Sequence, residues 1–434
     1  MFPGGRLPHQ ALLPAGSTFG SSGRVETSLG ATIRSGRGSE GSASARYYML
    51  VVWTLLLALV AGSMVYCVLI VIAAVRYRGV GPRKPDALPP ISILKPLAGV
   101  DDGLEINLRT FFEQRYPEFE ILFAVRSPDD PAIVIVERLR AAYPHVRCTT
   151  LVTGEPPYPN AKVFSLDRMF SAAQHDLLVM SDSDVRVMPG FLGVIAAEFA
   201  DLRVGLITCP YRAVPGRSFW SELEAIGLNT EFLGGVLVAR MLEGMKFALG
   251  PTIAARRETL VRIGGFDALK DYLAEDFVMG KLAAERGDGV ILSSYMIEHH
   301  IGKQTFAANL RHRLRWNRGT RRSRPLGYIG QVFTNPIPLA LLLTAVRPGL
   351  WRLLAITAAL RAAAAWASAG YILHDPLSGR RWWLIPVQDI ASFLVWLAGF
   401  FGNTILWRGR RYYMRADGRF EPASGYNNAD EPPR

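Results

Sequence analysis

Two pairs of acidic residues carry side chains that can do chemistry, and the first of them follows an apolar run. Asp182 and Asp184 lie in SDSDVRV, directly after LLVM. Side chains two positions apart in an extended segment point to the same side, so both carboxylates can face one ligand. Carboxylate oxygens bind Mg²⁺ or Mn²⁺, which keep positions open for phosphate oxygens. The pattern predicts either a metal-assisted diphosphate site or a polar turn that ends a strand.

The second acidic pair opens a predicted helix in the stretch GGFDALKDYLAEDFVMGK. Gly264 and Gly265 permit a close approach of the backbone, and Glu275 and Asp276 fall in the first helical turn. Acidic residues are stabilised there by the helix dipole, so helix capping is one interpretation. The other is that a carboxylate beside a bound sugar accepts a proton from an attacking hydroxyl.

An arginine-rich run, LRHRLRWNRGTRRSR, occupies residues 310–324 and contains seven arginines and one tryptophan. His312, Arg315 and Trp316 are spaced i, i+3 and i+4, which places them on one face of a helix. Arginine forks match phosphate oxygens, and an indole stacks on a flat or sugar-like group. This face therefore predicts a site for a small phosphate-bearing ligand.

The same run also fits a basic collar that is attracted to anionic lipid beside a membrane. It is long enough for both roles, and we assign the lipid-facing role to Arg321, Arg322 and Arg324. Nucleic-acid binding is a third interpretation, but it leaves the ordered acidic pairs unexplained. We therefore expect no nucleic-acid partner.

The elements that must position these residues alternate between apolar strands and helical patterns. Four short apolar runs read as strands: ISIL at 91–94, FEILFAV at 119–125, LLVMS at 177–181 and VGLIT at 204–208. Helical stretches separate them, which predicts βαβ units and an α/β fold with a mostly parallel sheet. In such sheets ligands bind outside the carboxyl ends of the strands, where Asp182 and Asp184 follow LLVMS.

Long apolar segments flank this middle region and predict a membrane protein. The chain has 434 residues, 50% of them apolar, and a net charge of +12, which fits neither a fully disordered chain nor an ordinary acidic cytosolic enzyme. Residues 47–75 carry no charge. A helix of about 20 apolar residues crosses a bilayer, so this segment is a predicted transmembrane helix rather than a cleaved signal peptide.

The rest of the chain divides by composition. We predict a disordered segment at 1–46, a linker at 76–90, a catalytic domain at 91–325, a membrane region at 326–407 and a basic tail at 408–434. Within the membrane region, 328–346 is expected to be interfacial or re-entrant, and spans are expected near 350–373 and 383–406. The three cysteines show no metal-like spacing and suggest no disulfide framework.

Basic residues near the apolar segments predict the orientation. RYRG at 76–79, with Arg83 and Lys84, follows the first span, and RGRRYYMR follows Trp407. Because cytoplasmic flanks carry an excess of Lys and Arg, the middle domain and the tail are both expected on the cytoplasmic side.

The acidic pairs and the arginine run together resemble a known signature. The order is D-x-D, then E-D about ninety residues later, then an R-W pair some forty residues further, just before the membrane segments. This order resembles the D, D, D, (Q/R)xxRW signature of membrane-bound inverting glycosyltransferases with a GT-A fold. Four stretches are similar to elements of the ceramide glucosyltransferase family: KPLAGVDDGLEINLRTFFEQRYPEFEILFAVRSPDDPAI, PNAK at 159–162, SDSDVRV and AEDFVMGK. The resemblance covers about residues 48–415.

This resemblance implies a UDP-sugar donor, a membrane-lipid acceptor and a divalent metal, Mg²⁺ or Mn²⁺. It places Asp182 and Asp184 at the metal and makes Asp276 the general base. On the donor side it implies a larger set of residues, namely Asp101, Lys95, Lys162, His312, Arg315 and Trp316. Lys95 and Lys162 also fit ordinary surface lysines.

One position departs from the signature, because His312 stands where Gln or Arg is expected. The sequence RHRLRW is similar to bacterial relatives that add an amino sugar to hopanoids, so a hopanoid or other lipid acceptor stays open beside ceramide. Processive polysaccharide synthesis and an inactive membrane scaffold are further alternatives. His299 and His300 precede this helix, either as structural histidines or with one of them completing a metal site.

Overall fold

The structure, a computed structural model, describes residues 36–78, 81, 88–407 and 410–423, and for residues 36–46 the backbone alone. Helix α1 (Gly36–Arg78) contains the predicted span and extends beyond it in both directions. Residues 36–46 were predicted disordered and are helical instead. Helix propagation from an apolar segment is favourable once the first turn exists, so small and charged residues continue it. Residues 1–35 of that predicted segment lie outside the described residues.

After α1 the chain alternates strands and helices, as the apolar runs predicted. The first seven elements are β1 (Ile91–Pro96), α2 (Leu104–Phe112), β2 (Phe119–Val125), α3 (Ala132–Ala142), β3 (Arg147–Val152), α4 (Ala161–Ala172) and β4 (Leu177–Ser181). The next are β5 (Val185–Arg186), α5 (Phe191–Glu198), β6 (Val204–Thr208), β7 (Tyr211–Pro215), α6 (Phe219–Gly227) and α7 (Leu233–Glu243). They are followed by β8 (Thr252–Arg256), α8 (Arg257–Arg262), α9 (Glu275–Glu285), β9 (Gly289–Leu292), β10 (Ile297–Ile301) and α10 (Phe306–Ser323).

Seven strands form the main sheet in the order β3-β2-β1-β4-β8-β6-β9. Only β8 runs antiparallel to its neighbours β4 and β6, so the predicted α/β fold with a mostly parallel sheet is confirmed. The central strands β1 and β4 are buried along nearly their whole length. Such burial on both faces is expected where helices cover a parallel sheet. The carboxyl ends of β1, β2 and β4 therefore meet at one edge.

A second, three-stranded sheet has the order β5-β10-β7. Its pairing sets His299 on β10 opposite Val185 on β5, and His300 N donates to Asp184 O at 2.7 Å. The small sheet therefore holds the D-x-D segment against β10, although these residues are more than a hundred positions apart in the chain.

Helices α6 and α7 join through a π-helical turn at Leu228–Phe232 into one apolar helix, Phe219–Glu243, which is long enough to cross a membrane. It cannot be a single crossing, because β6 before it and β8 after it pair in the same sheet. Both ends of this helix must lie on one side of the bilayer. The helix packs instead against the C-terminal helices and connects them to the main sheet.

Among the described residues after α10, the α-helices are α11 (Pro325–Gly330), α12 (Pro336–Val346), α13 (Trp351–Ala365), α14 (Pro376–Arg380) and α15 (Leu384–Gly399), and the strands are β11 (Thr404–Trp407), β12 (Arg410–Met414) and β13 (Phe420–Pro422). In the described part of the chain, Tyr47–Arg78 and Pro348–Ile372 are long and apolar enough to cross a membrane, besides Phe219–Glu243. Pro325–Thr334 and Pro336–Val346 meet at a 63° bend. This is the geometry of a broken span or of the predicted re-entrant segment.

The last predicted span, 383–406, ends earlier than expected, because its helix stops at Gly399 and residues 404–407 form β11. Strands β11, β12 and β13 make an antiparallel sheet, so the described part of the predicted basic tail is folded. Phe420 N of this sheet donates to Asp271 O at 2.9 Å. The C-terminal sheet therefore lies on the same side of the membrane as the main sheet, which requires an even number of crossings between α10 and β11. Parts of the predicted linker and tail lie outside the described residues, namely 79–80, 82–87, 408–409 and 424–434.

Candidate functional site

The carboxyl ends of β1 and β4 meet at a buried lysine. Lys95, near the end of β1, has no solvent exposure; its Nζ donates to Asp182 O at 2.5 Å and lies 3.8 Å from the centre of the Phe111 ring. Burial lowers the pKa of Lys95 to about 7, against the opposing effect of the Asp182 and Asp184 carboxylates. Lys95 was expected on the donor side or as a surface lysine. Its burial excludes the surface interpretation and directs its ammonium group at the backbone of the D-x-D segment.

Lys162 lies between two carboxylates at the same edge. Its Nζ is 2.6 Å from Asp182 Oδ1 and 3.3 Å from Glu275 Oε1. Burial opposes the charge of this ammonium group, but Asp182 and Glu275 together raise the pKa of Lys162 above its usual range. Lys162 is therefore an ordered cation that joins the D-x-D segment to the start of α9.

Asn160 fixes the position of this lysine from the N-terminus of α4. Its Oδ1 caps the helix by accepting from Val163 N at 3.1 Å, while its Nδ2 donates to Tyr272 O at 2.8 Å. A helix cap of this kind stabilises the folded protein by about 1 kcal/mol. The PNAK motif thus ties α4 to the loop that leads into Glu275 and Asp276.

Asp276 lies in the first turn of α9, as predicted, and lines a small cavity with Lys162, Asp182, Gly250 and Glu275. A Cβ atom on Gly250 would lie 2.9 Å from Asp276 Oδ2, so a larger residue at this position would displace the carboxylate. Burial, together with the neighbouring Glu275 carboxylate, raises the pKa of Asp276 to about 7. A carboxylate with a pKa in this range is suited to accept a proton near neutral pH.

Asp184 contacts His299. Asp184 Oδ2 and His299 Nε2 are 3.1 Å apart, and Asp184 Oδ1 is buried without a hydrogen-bond partner. Burial disfavours the charged form of Asp184, but His299 outweighs it and lowers the pKa of this carboxyl. An ionised buried oxygen without a partner is a suitable ligand for a hard cation.

The donor set fits a divalent metal that is held mainly by its substrate. Among the described residues, no group of three or more His, Cys, Asp or Glu side chains is arranged to hold a metal ion. Mg²⁺ commonly binds through one or two protein carboxylates plus phosphate oxygens. Asp182 Oδ1 is paired with Lys162, so the unpartnered oxygen of Asp184 is the better ligand of the two predicted.

The loop after β1 reaches the same edge. Asp101 Oδ2 accepts from Ser183 Oγ at 2.9 Å, so the structure brings Asp101 to the middle residue of the D-x-D segment. Asn107 on α2 donates from Nδ2 to Ser183 O at 3.2 Å and accepts from Arg186 Nε at 2.6 Å. These contacts hold the segment from the side opposite β10.

On α10, His312 and Trp316 share a face, with ring centres 4.8 Å apart, as their spacing predicted. Arg315, between them in the chain, is half-buried. His312 Nδ1 is 2.8 Å from Oε1 of Glu224, a buried residue on α6. Trp316 packs on Phe232, at a centroid distance of 6.4 Å.

A chain of rings connects this face to the D-x-D segment. Phe232 stacks on Tyr211 at 5.5 Å, and Tyr211 meets the edge of His299 at 5.3 Å. His299 in turn contacts Asp184. The predicted site residues therefore form one continuous region, although they come from four different elements and two loops.

Arg321, Arg322 and Arg324, which were predicted to face lipid headgroups, have partners within the protein. Arg321 donates to the carbonyls of Phe400 and Gly402, and both Arg321 and Arg322 contact Asn403 Oδ1. Arg324 pairs with Glu243 at 2.6 Å. The last carbonyls of a helix have no partner within it, and the Arg321 guanidinium group beside the end of α15 binds them.

Sequence reasoning assigned no role to Glu224, Asn107 or Asn160. Asn107 and Asn160 stand in the motifs NLRTFFE and PNAK, so the motifs themselves were the available signal. Glu275 precedes Asp276, and the pair was interpreted either as a helix cap or as the source of a proton-accepting carboxylate, without a role for Glu275 of its own. Glu224 is one carboxylate in an apolar helix, and nothing in the local sequence connects it to His312.

Known proteins are similar to much of this chain. The family model described as Glycosyl transferase family 21 matches residues 54–420. Ceramide glucosyltransferase 1 of Caenorhabditis elegans is 31% identical over 215 residues, covering 49% of this chain and 46% of that protein. The chain thus spans about half the length of this relative. Ceramide glucosyltransferase 3 of the same organism is 24% identical over 383 residues, covering 85% and 83%.

Solved structures of glycosyltransferases are also similar. The mannosyltransferase PcManGT from Pyrobaculum calidifontis, in complex with GDP-Man and Mn²⁺, is 19% identical with a TM-score of 0.49, covering 80% of this chain and 98% of that chain. TarS of S. aureus (residues 1–349), in complex with UDP-GlcNAc, is 14% identical with a TM-score of 0.38, covering 76% and 98%.

Proposed function

Because the chain belongs to glycosyl transferase family 21, we propose that it moves a hexose, glucose in the first instance, from a UDP-sugar to the hydroxyl of a membrane lipid, ceramide in the first instance. The observation that carries the proposal is the position of Asp276. Its carboxylate lies beside the Lys162–Asp182 ion pair, at the sheet edge where Asp184 presents an unpartnered oxygen. The acceptor class is supported by the relatives named as ceramide glucosyltransferases.

In the proposed reaction the lipid oxygen forms a bond to the anomeric carbon as the bond from that carbon to the diphosphate oxygen breaks. The bonding electrons leave with UDP, and the hydroxyl proton passes to the Asp276 carboxylate. Attack from the face opposite the leaving group inverts the anomeric configuration. The raised pKa of Asp276 suits a base that takes up this proton near neutral pH.

A divalent metal would be held by Asp184, with Asp182 beside it, and would neutralise charge on the diphosphate. The chain's own residues prepare the edge for that ligand. Lys95 holds the backbone of Asp182, and Asn107 holds that of Ser183. Asp101, Arg315 and Trp316 are proposed to contact the donor, and Lys162 to place charge beside it.

The decisive experiment uses the full-length protein in lipid vesicles with a panel of UDP-sugars and acceptors. We expect glucose to be transferred from UDP-glucose to ceramide, with the inverted anomer detected by mass spectrometry and NMR. Asp276→Asn should abolish transfer while UDP binding, measured by calorimetry, persists. Transfer to a hopanoid or diacylglycerol alone would replace the acceptor, and full turnover by Asp276→Asn would remove this residue from the base role.

The basic flanks support a cytoplasmic position for the catalytic domain and the C-terminal sheet. Protease treatment of sealed right-side-out vesicles that carry a C-terminal tag measures this directly. We expect the tag to be protected. Its digestion in intact vesicles would contradict the proposed orientation.

A further inference from the structure

The segment that contains α15 contacts the catalytic domain at both of its ends. Before it, Arg212 on β7 donates to His374 O at 3.3 Å. After it, Phe420 N of the C-terminal sheet donates to Asp271 O at 2.9 Å. A single crossing by α15 would place these two contacts on opposite sides of the bilayer. The other described α-helix between them, α14, has five residues and is too short to return the chain. The segment 375–403 therefore stays on the side of the catalytic domain.

Helix α15 is also short for a crossing, and it runs beside α10. Its 16 residues span about 24 Å, whereas the hydrocarbon core of a bilayer is about 30 Å thick. Arg313 Nη2 on α10 donates to Ser392 Oγ at 2.7 Å, and about two turns later Arg321 donates to Phe400 O. Since α10 follows β10 of the small sheet, α15 lies along the catalytic domain rather than away from it.

The two sides of α15 differ in polarity and in exposure. One side carries buried polar residues: Gln388, Asp389 and Ser392. Asp389 pairs with Arg361 of α13 at 2.8 Å, and Ser392 also donates to Glu231 Oε2 at 2.7 Å. The other side carries four apolar residues spaced three, four and three positions apart, each 38–58% exposed: Val387, Ile390, Leu394 and Leu397. This spacing places the four residues on one face of the helix.

The exposed face adjoins the membrane segments. Phe393, next to this face, packs against the cluster that contains Val60 of α1 and Leu339 of α12. Both helices belong to segments that are apolar enough for a membrane. Trp382 and Trp383, just before α15, are exposed as well, and tryptophan is enriched where a membrane meets water. Lipid at the rim of the bilayer is therefore the occupant that fits the exposed face.

We propose that α15 lies in the plane of the membrane interface, on the side of the catalytic domain, with its exposed apolar face in contact with lipid chains. This differs from the span expected over 383–406. Because α15 binds α10 through Arg313 and Arg321, it holds the helix that carries Trp316 at the level of the lipid headgroups. The hydroxyl of a lipid acceptor lies at the same level. The placement itself needs only a bilayer, so failure of the proposed glycosyl transfer would leave it standing.

The first measurement tests on which side the two ends of α15 lie. The full-length protein in sealed vesicles of one orientation is treated with a membrane-impermeant maleimide, in a Cys148→Ser background, since the other two native cysteines are buried. Trp382→Cys and Phe401→Cys place a cysteine at exposed positions on either side of the helix. Val134→Cys, exposed on α3 of the catalytic domain, is the matched control. We expect all three cysteines to react together, either before or only after the vesicles are opened. Opposite behaviour of the Trp382 and Phe401 variants overturns the proposal.

The second measurement tests what covers the exposed face, with spin labels on Leu394→Cys and Leu397→Cys in phospholipid vesicles. Oxygen, which dissolves in lipid, and a water-soluble nickel chelate relax such labels according to their surroundings. We expect oxygen to relax both labels more strongly than the chelate, at a depth of about 5–10 Å below the headgroups. Ile356→Cys, on the candidate span 348–372, should lie deeper, and Val134→Cys should be relaxed more strongly by the chelate.

Two outcomes of the second measurement contradict the proposal. Stronger relaxation by the nickel chelate at Leu394 and Leu397 would show that the face meets water. Weak relaxation by both reagents would show that another protein, or a second copy of this chain, covers the face. The labelled positions are all exposed in the structure, so each variant is expected to fold.

Discussion

The arginine-rich run on α10 has two halves, residues 310–316 and residues 317–324, which are both basic but have different partners. Its first half presents His312 and Trp316 to the region of the D-x-D segment. Its second half places Arg318 and Arg321 on backbone carbonyls between Phe400 and Thr404. The difference teaches that a cationic run has no single ligand. Each guanidinium group binds whichever acceptor the fold leaves unpaired beside it.

The second half also acts on the site at a distance. The carbonyls that it binds lead into β11, and the C-terminal sheet packs Ile405 and Phe420 around Leu273. Phe420 N donates to Asp271 O, and Arg419 lies over the Tyr272 ring at 5.6 Å. These residues precede Glu275 and Asp276. The first half of α10 thus contacts the site, whereas the second half supports the loop that enters it.

The sharpest test of this division is Arg315→Ala. We expect kcat/KM to fall about 100- to 1,000-fold, the usual cost of losing one donor that stabilises developing charge. Arg315→Lys should lose less, since it keeps the charge but not the fork. Steady-state kinetics with UDP-glucose measures both. Arg311→Ala, on an exposed position of the same helix, is the control. Equal kinetics for the Arg315 and Arg311 variants would refute the division.

The pH dependence separates the halves in a second way. The pKa of Asp276 is raised to about 7, so its basic form is lost as the pH falls through 7. We expect kcat/KM to drop about tenfold per pH unit below that value, roughly 100-fold at pH 5. The acid limb should be the same in Arg321→Ala, because the second half contributes no group to proton transfer. A flat profile between pH 5 and 8 would be evidence against Asp276 as the base.

Loss of the hydrogen bonds made by the second half should lower the stability of the protein more than its catalytic activity. The double substitution Arg321→Ala and Arg322→Ala removes charged hydrogen bonds to Gly402 and Asn403. Bonds of this kind contribute about 1.5–3 kcal/mol each when buried and less here, since these side chains are partly exposed. We expect a thermal midpoint several degrees lower and kcat/KM within about fivefold of native. A loss of kcat/KM as large as that of Arg315→Ala would contradict the division of α10 into a half that contacts the site and a half that supports the loop.

The smallest expected effect is that of Arg419→Ala. The substitution removes the cation from the Tyr272 ring, while Phe420 N still holds Asp271. Hydrogen exchange at residues 271–274 should quicken, and kcat should change by less than about twofold. Arg415→Ala, which breaks an exposed pair with Glu421, serves as the control. Unaltered exchange in the Arg419 variant would show that the sheet does not steady this loop.

Local sequence patterns predicted much of the fold. FEILFAV, LLVMS and VGLIT form β2, β4 and β6 with the predicted bounds, because apolar runs of this length between helices become buried strands. The start of α9 and the shared face of His312 and Trp316 also follow from spacing alone. Periodicity describes neighbours in the chain, and these features depend on nothing else.

The features that were missed depend on distant partners. The apolar helix Phe219–Glu243 satisfies the criteria for a span, and only the pairing of β6 with β8 excludes a crossing. The helix at 384–399 ends early because the chain turns into a sheet held by Arg318 and Arg321. The local amino-acid composition indicates neither the absence of a crossing at 219–243 nor the early end of the helix at 384–399.

What the sequence determined by itself is the chemistry: carboxylates at strand and helix ends, a cationic helix and apolar segments on either side. Tertiary structure decided which of these groups meet. It buried Lys95 beneath Asp182, set Lys162 between Asp182 and Glu275, and brought Glu224 to His312. The physical reason is that the strength of a charge depends on its solvent exposure and on the charges within a few ångströms, and both are fixed only by packing.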